Sequence, residues 1–327
     1  MNYRSLIVVL ALVAGSAVPL VAQTEEIKLD AAQSKVTTVS AMRARKAPQV
    51  KAEEVMRLKL GTVVNAVAHS TTQDIIGGKT DFWYRITLPN GESGWVFGGL
   101  LLNYDPRQRS ELLRQIIEAR LKAENTDFQD RGEIYELAGS AFGEAKDVNM
   151  RAEFELLKLL ALANWAAAFP DNLRDKSPYR EWLKTYGAEV IQDEFAGGYS
   201  LRSEVLWNLE RKYHAVPIAE RIAWEAAQNP QPSDCEGDEV CHFFGAAPTI
   251  KYLGLYPNGA HAAEALNNIN DVLTDQVISE ANAKGGDKYV IEARTDLTKE
   301  LASLRLALAK VSAPEKSGLL EKLKKIK

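Results

Sequence analysis

The stretch FWYRITLPNGESGWVFGGLL, residues 82–101, decides the fold of the first part of the chain. It opens with aromatic and β-branched residues, which are typical of a strand. Pro-Asn-Gly follows, and Asn90 and Gly91 predict a type I′ hairpin turn because both residues tolerate positive φ. Trp95–Phe97 then provides the returning strand. The stretch therefore predicts an antiparallel β-hairpin.

Two segments before this hairpin also have strand character. Val36–Ala44 alternates loosely between apolar and polar residues, and Thr62–Ala68 is rich in Val. Several short strands with tight turns indicate a small barrel, since curling the sheet removes its exposed edges. We predict a β-barrel over residues 33–104.

Three segments in this order resemble the bacterial SH3-like (SH3b) domain: MRARKAP (42–48), VMRLKLGTVV (55–64) and the opening stretch (82–101). The residues that match the family frame are Gly61, Trp83, Gly94, Trp95 and Val96. Two features depart from the family. Met42, Ala44 and Lys46 occupy positions that are usually small Asn or Ser, and the segment STTQDIIGGKTD (70–81) is longer than usual.

The resemblance implies binding rather than catalysis, because such domains often occur in exported bacterial proteins and contact cell-wall peptides or partner proteins. Aromatic side chains suit this role, since they supply large and stiff contact areas. We predict a ligand-binding groove near Trp83, Tyr84, Arg85 and Trp95. Alternation along the strand places Tyr84 on the opposite face from Trp83 and Arg85. The alternative is that these aromatic residues all belong to the core of a small barrel.

The hydrophobic pattern changes to a helical period after Asp105-Pro106, which predicts an N-cap followed by Pro at the first helical position. Residues 105–312 are predicted to form an all-α domain, so the fold class is α+β multidomain. The apolar segment Arg151–Phe169 is predicted to be its buried central helix. Further helices are predicted from Asp127 and Ser177, the latter ending at Gly197-Gly198, and over 201–214, 217–228, 240–255, 260–283 and 287–311.

Two helix junctions are alike: WAAAFPDN (165–172) and YLGLYPNG (252–259) both end in an aromatic residue, Pro and a polar pair. The second continues as AHAAEALNNI, which resembles the interhelical segment of tetratricopeptide-like repeats. Pro170 and Pro257 are 87 residues apart (257 − 170), which is not a multiple of the 34-residue tetratricopeptide period. We therefore predict antiparallel helical hairpins of irregular length. The alternative is that Pro only stops the helices here.

Residues 1–22 have the pattern of a signal peptide: Arg4, an apolar run over Leu6–Ala14, and small residues before Ala22. The alternative is an uncleaved membrane anchor. This pattern predicts an exported protein of the bacterial cell envelope, periplasmic or extracellular.

Export also favours a disulfide between the two cysteines of PSDCEGDEVC, Cys235 and Cys241. The alternative is a metal site, but the spacing does not fit the EF-hand pattern, which needs Gly at its sixth position. We predict no metal there. The ligands of the alternative site would be Asp234, Glu236, Asp238 and His242.

Composition and motifs exclude several functions. The balance of 40 basic and 44 acidic residues does not favour nucleic-acid binding, which needs a clustered basic surface. No P-loop, G-x-S-x-G, H-E-x-x-H or G-x-G-x-x-G motif occurs. We predict no catalytic residue and no cofactor, and favour a binding or scaffold protein. The alternative is a cell-wall hydrolase that the SH3-like domain targets to its polymer.

The last segment, residues 313–327, is predicted to be a basic amphipathic tail. Its sequence GLLEKLKKIK places four apolar side chains on one helical face: Leu319, Leu320, Leu323 and Ile326. Such a helix can lie on an anionic membrane or on a partner. The alternative, which we favour, is a frayed and solvated tail.

Overall fold

The structure, a computed structural model, describes residues 25–124, 126–193, 198–229, 235 and 238–327. The predicted signal peptide, residues 1–22, lies outside the described residues. The chain divides into two compact units. Of the described residues, the first unit, the sheet unit, comprises 25–33, Arg43–Arg57 and Val64–Leu101, and the second, the helical unit, comprises Ser34–Met42, Leu58–Val63 and those from Leu102 to Lys327.

The strands of the first hundred residues form one sheet in the order β3-β2-β6-β5-β4-β1-β7. Their bounds are β1 Glu26–Thr37, β2 Met42–Arg45, β3 Glu54–Leu58, β4 Val63–Ile76, β5 Lys79–Thr87, β6 Ser93–Phe97 and β7 Leu101–Asn103. The pairs β4–β5 and β5–β6 are antiparallel, so the predicted hairpin at residues 82–101 is confirmed.

The turn of this hairpin differs from the prediction. Gly91 has a φ of 84°, but Asn90 does not have positive φ, so the type I′ turn is wrong. Gly91 N–H donates to the carbonyl of Leu88 at 2.9 Å, and Leu88 N–H donates to that of Glu92 at 2.8 Å. Pro89 fixes φ near −65° at the first turn position, which favours a type I turn completed by Gly in the left-handed region.

The long segment 70–81 is not a loop but the paired ends of two strands. Ile76 lies opposite Lys79, and the turn between them consists of Gly77 and Gly78, with φ of 58° and 77°. Two adjacent residues with positive φ favour glycine at both positions. The departure from the family pattern therefore lengthens the β4–β5 hairpin, and it leaves Ile75 76% exposed.

Small residues allow close packing in the sheet unit. Ala66, Ile86 and Gly94 are neighbours across β4, β5 and β6. A Cβ added to Gly94 would lie 3.1 Å from the Cβ of Ala44, which is fully buried. Ala66, Ile86 and Val96 are also fully buried, so the part of this face around Gly94 is core.

The helical unit contains the helices α1 to α12 and one short strand pair. Their bounds are α1 Arg109–Leu121, α2 Phe128–Glu144, α3 Val148–Ala167, α4 Tyr179–Tyr186, β8 Val190–Gln192, β9 Tyr199–Leu201, α5 Ser203–Tyr213, α6 Ala219–Ala227, α7 Glu239–Phe244, α8 Ala247–Leu255, α9 Ala262–Val272, α10 Asp275–Asn282, α11 Lys288–Leu308 and α12 Lys316–Lys324.

Two predicted helix starts are confirmed, but two predicted helices are each interrupted. Asp105, which precedes Pro106, accepts a hydrogen bond from Arg107 N–H. Asp127 accepts one from Asp130 N–H at the start of α2. Both predicted caps are therefore confirmed. The predicted helix 260–283 is two helices, because Thr274 accepts from Val277 N–H and starts α10. Similarly, the predicted helix 240–255 is interrupted at residues 245–246 between α7 and α8.

The stretch after Ser177-Pro178 is only partly helical. α4 ends at Tyr186, well before Gly197-Gly198, and β8 and β9 then pair with Ile191 opposite Ser200. The expectation of one helix up to this glycine pair is therefore wrong. Residues 194–197 lie outside the described part of the chain.

Two segments of the predicted barrel belong to the helical unit and share a core with α1–α3. Val36 and Leu60 are buried in the same cluster as Leu113 and Ile117. Leu60 N–H also donates to Glu133 Oε2 at 2.9 Å. The side chains of Ala152 and Leu156 on α3 face a second, larger core, so α3 is the predicted central helix.

The two similar helix junctions are stabilised differently. Phe169 lies in a group of aromatic rings, 5.2 Å from Trp182 and 4.8 Å from Tyr199 between centroids. At the second junction the phenols of Tyr252 and Tyr256 donate to Glu220 and Glu210, at 2.8 and 2.7 Å. Glu210 is only 3% exposed, so its hydrogen bonds compensate for burial of the carboxylate.

The C-terminal segment forms the predicted helix, α12, rather than a frayed tail. Leu319 is fully buried and Leu323 is 4% exposed, both in the core of the helical unit, whereas Leu320 is 39% exposed. The predicted apolar face is therefore only partly covered, and its contact with a membrane or a partner stays a prediction. Within the described residues, no helix combines the length and the apolar character needed to cross a bilayer.

The two cysteines are bonded as predicted. Cys235 and Cys241 are joined with an S–S distance of 2.00 Å and a Cα–Cα distance of 5.4 Å. Asp238 caps the following helix by accepting from Val240 N–H, and the described residues contain no group of three or more His, Cys, Asp or Glu placed to hold a metal ion. Asp234 and Glu236, which belong to the alternative metal site, lie outside the described residues.

Candidate ligand-binding surface

The structure does not place the four predicted ligand contacts on one surface. Trp83 and Trp95 are 3% and 5% exposed, whereas Tyr84 and Arg85 are partly exposed. Trp83 lies opposite Phe97 across β5 and β6, and Arg85 lies opposite Trp95. Tyr84, between them in sequence, points to the other side of the sheet.

The two tryptophans belong to a buried tryptophan cluster, formed by Trp83, Trp95 and Phe97. The rings of Trp83 and Phe97 are 5.9 Å apart and meet edge to face at 62°, a favourable aromatic geometry. Trp83 Nε1 donates to Asp74 Oδ2 at 2.7 Å, so its polar atom is satisfied within the protein. Direct ligand contact by Trp83 or Trp95 would require this cluster to open.

Arg85 is already engaged in an ion pair. Its NH2 group donates to Glu26 Oε1 at 2.8 Å, and its Nε lies 2.6 Å from Glu26 Oε2, so the ion pair contains one hydrogen bond. The side chains are 29% and 23% exposed. This pair links β1 to β5, so Arg85 has a structural role in addition to the predicted ligand contact.

The partly exposed aromatic rings of the sheet unit form an open aromatic patch, which we define as His69, Phe82 and Tyr84. The His69 ring centroid lies 4.6 Å from that of Phe82 and 6.2 Å from that of Tyr84. Register pairs His69 directly with Tyr84 across β4 and β5. His69 Nδ1 lies 2.7 Å from the carbonyl of Ser70, so this nitrogen carries the proton.

Gly98 determines how Tyr84 and Asp81 are placed. A Cβ at Gly98 would lie 2.5 Å from Tyr84 Cε2 and 2.8 Å from Asp81 Cγ. Because glycine has no side chain, the Tyr84 ring and the Asp81 carboxyl both rest against its backbone. Burial, and secondly the charge of Asp81, raise the pKa of the Tyr84 phenol. The phenol is therefore a neutral hydrogen-bonding group at physiological pH.

This arrangement offers apolar ring faces, a phenol and a carboxylate within a small area. The Asp81 carboxylate accepts from Phe82 N–H at 2.7 Å and forms no ion pair among the described residues. Rings and a carboxylate together suit a peptide that carries apolar groups and an amine. Of the four predicted ligand contacts, Tyr84 alone belongs to this patch.

Sequence reasoning missed His69 and Gly98. His69 lies opposite Tyr84 only because the register shifts between Ala66 and Ala68, and such an irregularity has no signal in one sequence. Gly98 directly follows the returning strand Trp95–Phe97. Its position after the Gly-Trp-Val-Phe strand was the available signal, since glycine often marks a close approach of other atoms to the backbone.

Comparison with protein families identifies residues 40–101 as a bacterial SH3 domain. The predicted resemblance is confirmed for this part of the chain, and a helical region follows it. The open aromatic patch lies inside the matched residues. Neither the curated proteins nor the solved structures give a significant match.

Proposed function

We propose that this chain is an exported binding or scaffold protein of the bacterial cell envelope. In this proposal its SH3-like module, a barrel over residues 33–104, recognises a cell-wall peptide through the open aromatic patch. The bacterial SH3 domain is a module type that typically binds cell-wall components. The observation that carries the proposal is the partly exposed ring group of His69, Phe82 and Tyr84 inside the matched residues.

Physical chemistry supports the patch as the contact surface. Tyr and Phe rings give large contact areas at small entropic cost, because they have few rotatable bonds. The register and Gly98 fix the Tyr84 ring before a ligand arrives, which lowers the cost of binding. The Asp81 carboxylate attracts a ligand amine by its charge. The neighbouring ring faces favour the same amine through cation–π contact.

The proposed location rests on two features. Residues 1–22 have the signal-peptide pattern, and Cys235 and Cys241 form a disulfide, which is favoured in oxidising compartments. The helical unit would then be the scaffold that carries the module or contacts other envelope proteins.

The first test is cosedimentation of the mature protein with purified peptidoglycan sacculi. We expect the wild type to pellet with the sacculi and to remain soluble without them. Asp81→Asn should weaken retention by about tenfold, the effect of one lost charge-assisted contact of about 1.4 kcal/mol. Glu92→Gln, an exposed acid at the Asn90 turn, is the matched control. Wild type that stays in the supernatant would overturn cell-wall recognition and leave an envelope protein as the partner to be sought.

A further inference from the structure

An apolar groove lies between α8 and α11 in the helical unit. Its volume is about 510 Å³, within the range of small-molecule sites. Ile250 and Leu255 of α8 and Leu306 and Ala307 of α11 line it, with Trp207 of α5. Leu255 and Leu306 are 41% and 70% exposed. Large apolar side chains in such open positions mark candidate ligand grooves.

Two lysines face this groove without a carboxylate partner. Lys251 and Lys310 both line it, and neither forms an ion pair among the described residues. Lys251 Nζ lies 3.9 Å from the centroid of the Trp207 ring, a cation–π contact. Burial, and secondly Arg211, lower the pKa of Lys251, and the charges of Glu210 and Glu204 offset this only in part.

One acid lines the groove, Glu300. Burial, and secondly Asp296, raise the pKa of its carboxyl, so its charged form is disfavoured. Glu300 and Lys310 are ten positions apart on α11, or about 15 Å along the axis. The groove therefore has an acidic end and a basic end along this helix, with two cations against one anion in total.

We propose that this groove binds a single-chain amphiphile with an anionic head, of the fatty-acid class. The alkyl chain would lie on the apolar walls, and the carboxylate would pair with Lys251 and Lys310. The walls are helices whose backbone groups already pair along the helix, so they offer no edge to the backbone of an extended peptide. Charge complementarity selects an anionic head over a neutral or cationic one.

The test is isothermal titration calorimetry of the full mature protein with three probes of equal chain length. These are dodecanoate and dodecyltrimethylammonium, each below its critical micelle concentration, and dodecanol below its solubility limit. We expect saturable binding of dodecanoate, with affinity about tenfold or more above that of either other probe. The double variant Lys251→Met/Lys310→Met should lose this preference for the anion. Lys299→Met, an exposed lysine of the same helix paired with Asp296, should leave binding unchanged.

A second variant separates failed folding from failed binding. Leu306 is 70% exposed, so Leu306→Asp should keep the circular dichroism spectrum and melting temperature of the wild type. The same variant should weaken the binding of all three probes. The proposal is overturned if dodecanoate does not bind, if the cationic probe binds as tightly, or if the double lysine variant binds dodecanoate as the wild type does. These outcomes are independent of sacculus binding, which tests the sheet unit.

Discussion

The buried tryptophan cluster and the open aromatic patch share strand β5 but differ in burial. Trp83 and Tyr84 are adjacent in sequence, yet the first is 3% exposed with its Nε1 bonded to Asp74, and the second is partly exposed beside His69. Strand alternation and register separate them. The comparison shows that an aromatic residue matching the family frame need not be the ligand contact, because its neighbour can face the surface instead.

The largest effect on stability is expected in the tryptophan cluster. Trp83→Ala should lower the free energy of unfolding of the sheet unit by about 3–5 kcal/mol, because it leaves a cavity beside Phe97 and an unpaired Asp74 carboxylate. Phe82→Ala, in the patch, should cost clearly less, since that ring is partly exposed. Urea unfolding followed by near-ultraviolet circular dichroism measures both. Equal losses of unfolding free energy in the two variants would contradict the distinction between the buried tryptophan cluster and the open aromatic patch.

A smaller effect on stability is expected at Gly98, whose backbone contacts the Tyr84 ring of the open aromatic patch. Gly98→Ala should cost about 1–3 kcal/mol and displace the Tyr84 ring, because the new Cβ would lie 2.5 Å from Cε2. Gly143→Ala is the control: no atom lies within 4 Å of the added Cβ in α2, so it should be neutral or slightly stabilising. If the two variants unfold at the same urea concentration, Gly98 does not shape the patch.

The ion pair between Arg85 and Glu26 should contribute less to stability than either of these. Arg85→Met and Glu26→Gln should each cost about 1 kcal/mol, the upper range for a partly exposed pair. The double variant should cost little more than either single variant, because both remove the same interaction. Additive losses in this double-mutant cycle would show that Arg85 and Glu26 stabilise the protein separately, and would leave Arg85 available to a ligand.

Part of this comparison was predictable from the sequence. The family frame around Trp83 and Trp95 predicted the SH3-type strands, and alternation predicted that Tyr84 faces away from Trp83. The sequence did not decide between a groove and a core for these aromatic residues, because the tryptophan cluster depends on Asp74 and Ile76 of segment 70–81, whose length departs from the family pattern. The helices followed from apolar spacing and from caps such as Asp127, whereas the β8–β9 pair has too few residues for a periodic signal.

A still smaller effect is expected from the Asp81 charge on the pKa of the Tyr84 phenol. Its raised pKa means that the folded protein favours the neutral phenol, so this stabilisation is complete below pH 10 and is lost as the pH rises through the folded pKa. Asp81→Asn should lower the Tyr84 pKa towards its ordinary value, since it removes the like charge. Ultraviolet difference titration, with Tyr84→Phe subtracted as background, measures this. An unchanged Tyr84 pKa would place Asp81 too far away to act on it or on a ligand amine.

The most direct test of the central claim is retention on purified peptidoglycan sacculi for Tyr84→Ala and Trp83→Phe side by side. Trp83→Phe keeps a buried ring and leaves the surface intact, so it should melt at a lower temperature but still pellet with the sacculi. Tyr84→Ala removes a proposed anchor, so it should stay folded and bind about 30-fold more weakly, equivalent to about 2 kcal/mol. The contradictory result is the reverse pattern, with Tyr84→Ala retained like the wild type and a folded Trp83→Phe released.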